Sequence, residues 1–409
     1  MQIHWIKSLF YRFVCEYFIF LFIMSFLLYF MYIKLKYPFW NLQPVFHKYD
    51  YLRCFQKKPY IVFDKVFSTK FIDTNHIKTF EYSQCEKKKI YKFIDFIQCN
   101  YMEEDNILIL SDKKSYHSYF SGQKHPSYFS FYQEIIRIPK YYNTIVLGCI
   151  TSRFLNLTYE TSKIPIYFLD YICVHRYCKK QSKNMNWRLI QTHEHNQRIQ
   201  NPTIQVSLLQ QEKQPYQGII PLIKYKKILF YLDEIGNKEK DKEPLPPFYT
   251  CISIQKSNIE LLTDFFHRIS TLFCFTVVDD FDTIYSLIIN NELFIYCLCK
   301  GKHILAYYFF KNTQRQYDHI GNVIQFIGSY NNTRSEDLFY LGFLYSLQMI
   351  YKSMNYKILV YETIGHNNMI INKFLEFYTC VSQYDVYYYL YNYIIPSSPL
   401  NTKNCFFLI

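Results

Sequence analysis

The stretch "IPIYFLDYICVHRYCKKQSK" (164–183) decides how the chain reads. Its first eleven residues are mostly aromatic and aliphatic, with charge only at Asp170, and they predict a strand. That strand runs into a basic segment carrying Lys179, Lys180, Ser182 and Lys183. Where a strand splays away from its neighbour, its freed backbone N–H groups can polarise a carbonyl, which is oxyanion-hole chemistry. Three lysines and a hydroxyl at the start of a helix suit a phosphate group. The other reading of the same residues is an ordinary buried strand followed by a solvated basic loop.

Composition narrows the setting. A chain of 409 residues, half of them apolar, is globular and long enough for two or three domains. Tyr (43) and Phe (38) far outnumber Gly (9), so aromatic clusters are not read here as base-stacking platforms. Lys and Arg exceed Asp and Glu by 46 − 33 = 13, a balance that suits phosphate-bearing ligands, anionic lipid or nucleic acid. The positives are scattered in short runs such as Lys87 to Lys89 and Lys224 to Lys227, without a nucleic-acid motif. They read as solvated faces, and no nucleic-acid partner is expected. Thirteen cysteines at irregular spacing, with no Cys-x-x-Cys, point to buried free thiols in a reducing compartment. In "LFIYCLC" (293–299) a strand would set Cys297 and Cys299 on one face.

Residues 17–33, "YFIFLFIMSFLLYFMYI", carry no charge and predict a transmembrane helix with Tyr17 and Tyr32 at the interfaces. No small-residue cleavage site follows, which favours an uncleaved anchor over a signal peptide. Strands are expected at 106–110, 144–150, 164–174 and 227–233, then near 270–278, 292–298, 303–310 and 357–362. A helix near 335–354 should bury Leu338, Leu341, Leu344, Tyr345 and Leu347. The charged, then Pro-rich "EIGNKEKDKEPLPP" (234–247) reads as a linker. The expected organisation is an anchor (1–36), one α/β half (37–233), the linker, and a second α/β half (248–409). His193-Glu194-His195 lacks the His-x-x-x-His spacing of a helical metal site and reads as solvent-facing, so no metal is expected. Walker, Gly-x-Ser-x-Gly and Gly-x-Gly-x-x-Gly patterns are absent from the sequence.

Five segments in order sharpen this picture: "YPFWNLQPV" (37–45), "NYMEEDN" (100–106), "FLDYICVHRYCKKQSK" (168–183), "FLEF" (374–377) leading to "YYYLYNYIIPS" (387–397), and the ending "NCFFLI" (404–409). Together they resemble the eukaryotic N-myristoyltransferase family, the glycylpeptide N-tetradecanoyltransferases, over residues 37 to 409. The resemblance implies an α/β fold of two acetyltransferase-like (GNAT-type) halves with pseudo-twofold symmetry, sharing a saddle-shaped mixed sheet. It implies transfer of a myristoyl group from myristoyl-CoA to the N-terminal glycine amine of peptides and proteins. Acyl-CoA would be the cosubstrate, with no tightly bound cofactor.

The resemblance assigns the oxyanion hole to the backbone amides of Tyr171 and Ile172, and the base to the α-carboxylate of Ile409, buried by Phe406, Phe407 and Leu408. It assigns acyl-CoA contacts to Phe39, Trp40, Cys173, Val174, Lys180, Ser182 and Lys183. Acceptor contacts fall on Tyr101, Met102, Glu103, Glu104, Asp105 and Tyr330. Asn184 and Trp187 replace a family arginine and proline beside the phosphate segment. Departures also concentrate on the peptide side, at "VSLLQQ" (206–211), at Gly218, Ile219 and Ile220, and at Ser382, Gln383 and Tyr384. The expected protein is a monomer held to a membrane by one helix, with its catalytic part in the cytosol. An inactive acyl-CoA-binding protein, or an acyltransferase acting on a different amine, are the alternatives.

Overall fold

Two-residue alternation explains most of the strands. In Leu293–Lys300, Leu293, Ile295, Cys297 and Cys299 enter one apolar cluster while Phe294, Tyr296 and Leu298 enter another. Successive side chains of a strand point to opposite faces, so this one is covered on both. Cys297 and Cys299 do share a face, and the described cysteines are free thiols.

The computed structural model describes residues 2–50, 55–101, 107–109, 113–138, 141–178, 181–238, 244–317 and 320–409. The expected site residues Met102, Glu103, Glu104, Asp105 and Lys180 lie outside the described residues. The chain opens with helix α1 (Gln2–Lys36), then strands β1 (Tyr60–Ile61) and β2 (Ile77–Glu81), helix α2 (Lys87–Asn100), strand β3 (Ile107–Ile109) and helix α3 (Lys113–Phe120). Strands β4 (Tyr128–Ile138), β5 (Tyr141–Tyr159) and β6 (Ser162–Val174) precede helix α4 (Ser182–Gln200) and strands β7 (Val206–Glu212) and β8 (Ile223–Tyr231).

Helix α5 (Leu232–Lys238) leads to β9 (Tyr249–Ser253), α6 (Thr263–Leu272), β10 (Phe275–Val278) and α7 (Phe281–Ile289). Then come β11 (Leu293–Lys300), β12 (His303–Tyr317), β13 (Gly321–Asn331), α8 (Glu336–Ser353) and β14 (Tyr356–Glu362). Helix α9 (Asn367–Phe377), β15 (Ser382–Tyr391), β16 (Tyr393–Ile394) and β17 (Cys405–Leu408) finish it.

The same motif occurs twice. Antiparallel β4, β5 and β6 are followed by α4 and by β7, which pairs parallel to β6. Antiparallel β11, β12 and β13 are followed by α8 and by β14, parallel to β13. The next strand of each motif then crosses over. β8 follows β7 in the chain yet pairs with β14, and β15 follows β14 yet pairs with β7. β15 and β8 also pair with each other, so one mixed sheet of 15 strands runs through both motifs.

The ending is the last piece. β17 lies parallel to β10, which in turn pairs with the far end of β5. Cys405, Phe406, Phe407 and Leu408 are all buried. Phe406 packs on Phe265, Phe273 and Phe309, whereas Phe407 stacks on Tyr388 at 4.7 Å.

Several expectations need correction. The apolar helix is not limited to 17–33 but runs from Gln2 to Lys36; it is long and apolar enough to cross a membrane, and its side chains from Tyr17 to Tyr29 are exposed. The expected linker begins inside α5, where Ile235 joins the core. The strand expected near 270–278 is shortened to Phe275–Val278, because Ser270 to Leu272 complete α6. In α8 the buried stripe centres on Phe339, Phe343, Leu347 and Ile350, leaving Leu338, Leu341 and Tyr345 half-buried at its flank. His193 and Glu194 are not solvent-facing: they are 0% and 1% exposed on the inner face of α4. His193 Nδ1 meets Ser130 Oγ at 2.8 Å, and burial pushes the imidazole down to about 3, so it stays neutral.

Because Phe407 fills the space between β10 and β15, Phe407→Ala should cost about 3–5 kcal/mol. Thermal unfolding of the detergent-solubilised chain should show a midpoint several degrees lower; an unchanged midpoint would mean that β17 is only loosely docked.

Candidate active site

The site begins where β6 leaves β7. Their parallel pairing runs from Ile166 opposite Val206 to Leu169 opposite Leu209 and stops there. On its other edge β6 slips against β5, so that Cys149 faces Cys173 but Thr151 faces Asp170. The bulge puts Tyr171 in the left-handed region (φ +50°), where a side chain is strained. Its ring is locked among buried aromatics, edge-on to Phe93 at 5.7 Å.

The bulge turns the Tyr171 N–H toward an anion. It donates to Asp170 Oδ1 at 2.7 Å, while Asp170 Oδ2 accepts from the Tyr119 hydroxyl, also at 2.7 Å. The Tyr119 ring lies under the Arg153 guanidinium (4.2 Å), which donates to Asp279 at 2.5 Å. Burial alone would lower the Arg153 pKa, but Asp279 and Tyr119 outweigh it and the guanidinium stays charged.

Between Asp170–Val174 and Gln210–Glu212 opens a cavity of about 1000 Å³. One wall is apolar and aromatic: Trp40, Leu169, Trp187, Ile190 and Tyr216. Ser182 and Lys183, in the first turn of α4, stand on its rim with Lys36 and Tyr37 from the end of α1. Lys183 Nζ sits 5.1 Å over the Trp187 ring. A charged wall faces them. Lys227 Nζ meets Glu212 at 2.6 Å and Glu362 at 3.6 Å, and Glu362 also accepts from Gln325 at 2.6 Å. Burial would discharge Lys227, yet Glu212 and its neighbours hold its pKa well above the usual value. Ile409 closes the cavity, its oxygen accepting from Lys311 Nζ at 2.7 Å.

Among the residues expected from the sequence, Trp40, Tyr101, Tyr171, Ile172, Cys173, Val174, Ser182, Lys183 and Ile409 all line this cavity. Phe39 does not. It is fully buried behind the wall, stacked on Trp187 at 5.3 Å, and shapes the cavity through that ring. Tyr330 does not line it either, being packed among Phe265, Phe273 and His366. Burial pushes the Cys173 thiol up to about 12, so it is no thiolate nucleophile at neutral pH. Among the described residues, no cluster of three His, Cys, Asp or Glu side chains is arranged for a metal. Sequence reading missed Asp170, Lys311 and Glu362, and it took Lys227, in the run Lys224 to Lys227, for part of a solvated face, whereas Lys227 is buried against Glu212 and Glu362.

No protein-family model matches the chain, and no curated protein matches it in sequence. Solved structures do. Saccharomyces cerevisiae N-myristoyltransferase with bound myristoyl-CoA superposes with a TM-score of 0.64 at 14% identity, over 90% of this chain and 95% of that one. A second structure of the yeast enzyme with myristoyl-CoA gives 0.67 at 13% identity, over 91% and 95%. A third, with myristoyl-CoA and inhibitors, gives 0.64 at 14% identity, over 90% and 92%. The chain therefore has the N-myristoyltransferase fold.

The Arg153–Asp279 pair packs on Tyr119, which lines the site, and can be tested through stability. Arg153→Met leaves Asp279 buried and unpaired, and should cost about 3–5 kcal/mol. The double variant Arg153→Met/Asp279→Leu should recover much of that loss in thermal unfolding; equal losses in both would show that the pair is not the source.

Proposed function

We propose that this chain is an acyltransferase that moves a myristoyl group from myristoyl-CoA to the N-terminal glycine amine of a peptide or protein. The observation that carries the reading is the convergence of the Tyr171 bulge, the start of α4 and Ile409 on one cavity. The N-myristoyltransferase fold of the chain supports it.

In this reading the N-terminal half takes acyl-CoA. Its phosphates meet Lys180, Ser182 and Lys183 at the start of the 19-residue helix α4, where unpaired N–H groups and the helix dipole favour anions. The acyl chain runs along Trp40 and the Trp187 wall, past Cys173 and Val174. The thioester oxygen replaces Asp170 Oδ1 on the Tyr171 N–H and takes a second hydrogen bond from the Ile172 N–H. The acceptor enters past Tyr101, and the acidic Glu103, Glu104 and Asp105 that follow in sequence are proposed as further contacts to it. Its amine attacks the thioester directly, and the protonated Cys173 thiol argues against an acyl-cysteine intermediate. The Ile409 α-carboxylate takes up a proton from the amine. Helix α1 anchors the chain in a membrane with the cavity on the cytosolic side.

Two features bear on the acceptor. The charged wall of Glu212, Lys227 and Glu362 favours a polar acceptor, consistent with the departures at "VSLLQQ". The Asp170 carboxylate on the Tyr171 N–H favours a second reading, an acyl-CoA binder without transfer, because an anion already fills the place of the oxyanion.

Labelled myristoyl-CoA and a panel of glycine-initiated peptides decide between them. Transfer to at least one peptide is expected, whereas bound acyl-CoA without transfer to any would leave the second reading. Adding a single residue after Ile409 should lower transfer at least a hundredfold while sparing acyl-CoA binding. Full activity in that variant would remove the carboxylate from the reaction.

A further inference from the structure

Helix α1 runs into the cavity wall without a linker. Tyr37 N–H donates to the Ile33 carbonyl and Asn41 N–H to the Tyr37 carbonyl, both at 3.0 Å, so the backbone stays coiled past the end of the helix. Lys36, Tyr37 and Trp40 of this stretch all line the cavity. The end of α1 is also clamped to the folded body. The Phe30 ring meets Tyr49 edge-on at 4.9 Å, Lys34 Nζ lies 4.2 Å over the Phe30 ring, and Ile33 is buried. Tyr49 stacks on His47 at 4.7 Å, and His47 Nε2 donates to the Trp40 carbonyl at 2.8 Å.

The clamp rests on Gly218, Ile219 and Ile220, where the sequence departs on the peptide side. The Gly218 carbonyl accepts from Lys48 N–H at 3.0 Å, and Ile220 N–H donates to the Phe46 carbonyl at 2.7 Å. Gly218 is in the left-handed region (φ +86°), and a Cβ there would stand 3.1 Å from the Tyr37 ring. These residues seat the turn that follows α1.

The apolar stretch, measured to this clamp, matches a bilayer. At 1.5 Å per residue, Arg12 to Lys34 covers roughly 33 Å, against about 30 Å for the hydrocarbon core. Lys36 lies two residues farther, roughly 3 Å, within a headgroup layer about 5–7 Å deep. Its Nζ donates back to the Tyr32 hydroxyl. A bilayer that holds α1 therefore brings its lipid phosphates level with the cavity rim, where Lys36 stands with Lys183 of α4.

We propose that the chain draws its acyl-CoA from the bilayer that holds α1, and not from water. The proposal rests on the acyl-CoA and anchor readings and adds the route between them. An acyl-CoA lodged in a bilayer keeps its phosphates among the lipid headgroups, at the height of Lys36 and Lys183, with its chain beneath. The phosphates move sideways onto those two cations, and the chain follows past Tyr37 and Trp40 into the cavity. A single myristoyl chain binds bilayers with a constant of roughly 10⁴ M⁻¹, so at about 1 mM lipid roughly ten molecules in eleven are membrane-bound. A site that opens on the headgroup layer samples the larger pool.

The test uses the full chain in phosphatidylcholine nanodiscs at about 1 mM lipid, a concentration that depletes aqueous myristoyl-CoA. Stopped-flow fluorescence of Trp40 and Trp187, which line the cavity, reports acyl-CoA association. At one total ligand concentration, the wild-type rate should hold or rise from octanoyl-CoA, which stays in water, to myristoyl-CoA. A fall of about tenfold, matching the depleted aqueous pool, overturns the proposal. A second chain carries a helical insert of about three turns (11 residues) between Tyr29 and Phe30, four leucines to complete the span and then Glu, Ala and Lys. The insert keeps the Phe30–Tyr49 contact and the helical phase while lifting the body about 16 Å. This chain should take up myristoyl-CoA at least tenfold more slowly and octanoyl-CoA at the wild-type rate. Equal myristoyl-CoA rates in the two chains, or equal slowing of both ligands, overturn the proposal and leave acyl-CoA binding standing. No myristoyl-CoA binding by the wild type overturns the acyl-CoA reading as well, and a wild-type chain that does not stay with the discs overturns the anchor.

Discussion

The parting of β6 from β7 is the constraint on which the site depends. Buried backbone N–H and C=O groups need partners, so two parallel strands cannot separate inside a core without compensation. β7 stays in the sheet through its other edge, where it pairs with β15 from the second motif. β6 compensates with a bulge that strains Tyr171 and with a carboxylate, Asp170, on the Tyr171 N–H. The cavity is the space left between them. In the second motif β13 leaves β14 after Phe326 opposite Tyr361, but there Phe406 of β17 fills the gap against Gly328. A Cβ at Gly328 would stand 3.0 Å from the Phe406 ring, so glycine lets the plug pack closely at that position. Two similar motifs thus produce one open gap and one closed one, and the ending of the chain makes the difference.

Much of the fold was legible because its signals are local. Alternation set out β6, β11 and β14, and the apolar run from 17 to 33 marked α1. The exchange of β8 and β15 was not legible, since nothing in either strand specifies which distant edge it pairs with. Polar residues on α4 were misread outward for a related reason. His193 and Glu194 look solvated in isolation, but α4 packs across β4, β5 and β6 and buries them. In α8 the aromatic Phe339 and Phe343 outweighed the leucine spacing that suggested a slightly different face.

The site was legible in outline through the order of its motifs rather than through any one residue. Nine residues named from sequence meet in one cavity, although they come from the turn after α1, the end of α2, β6, α4 and Ile409. Phe39 shows the limit of residue-by-residue transfer, because its contribution passes through Trp187. Lys311 did leave a signal. "YYFFKN" (307–312) puts a lysine at the end of four aromatic residues, and strand parity assigns it to the buried face. A buried cation at that position needs a partner, and the partner lies 98 residues away at Ile409.

Charge and shape together explain how the cavity is organised. The interior charges occur in sets that contain both signs, Arg153 with Asp279 and Lys227 with Glu212 and Glu362. The rim is different: Lys36 stands there with Lys183, which belongs to the first turn of α4. Low-dielectric walls focus a field of this kind at the entrance, so an anionic ligand is drawn to the rim while the interior stays close to neutral. One of those two cations belongs to the last turn of the apolar helix, whose Ile33 is buried against the folded body. The end of α1 is therefore part of the cavity wall. Any tilt of α1 relative to the body would move Lys36 and Tyr37 at the entrance, tying the electrostatics of the rim to whatever surface holds the helix.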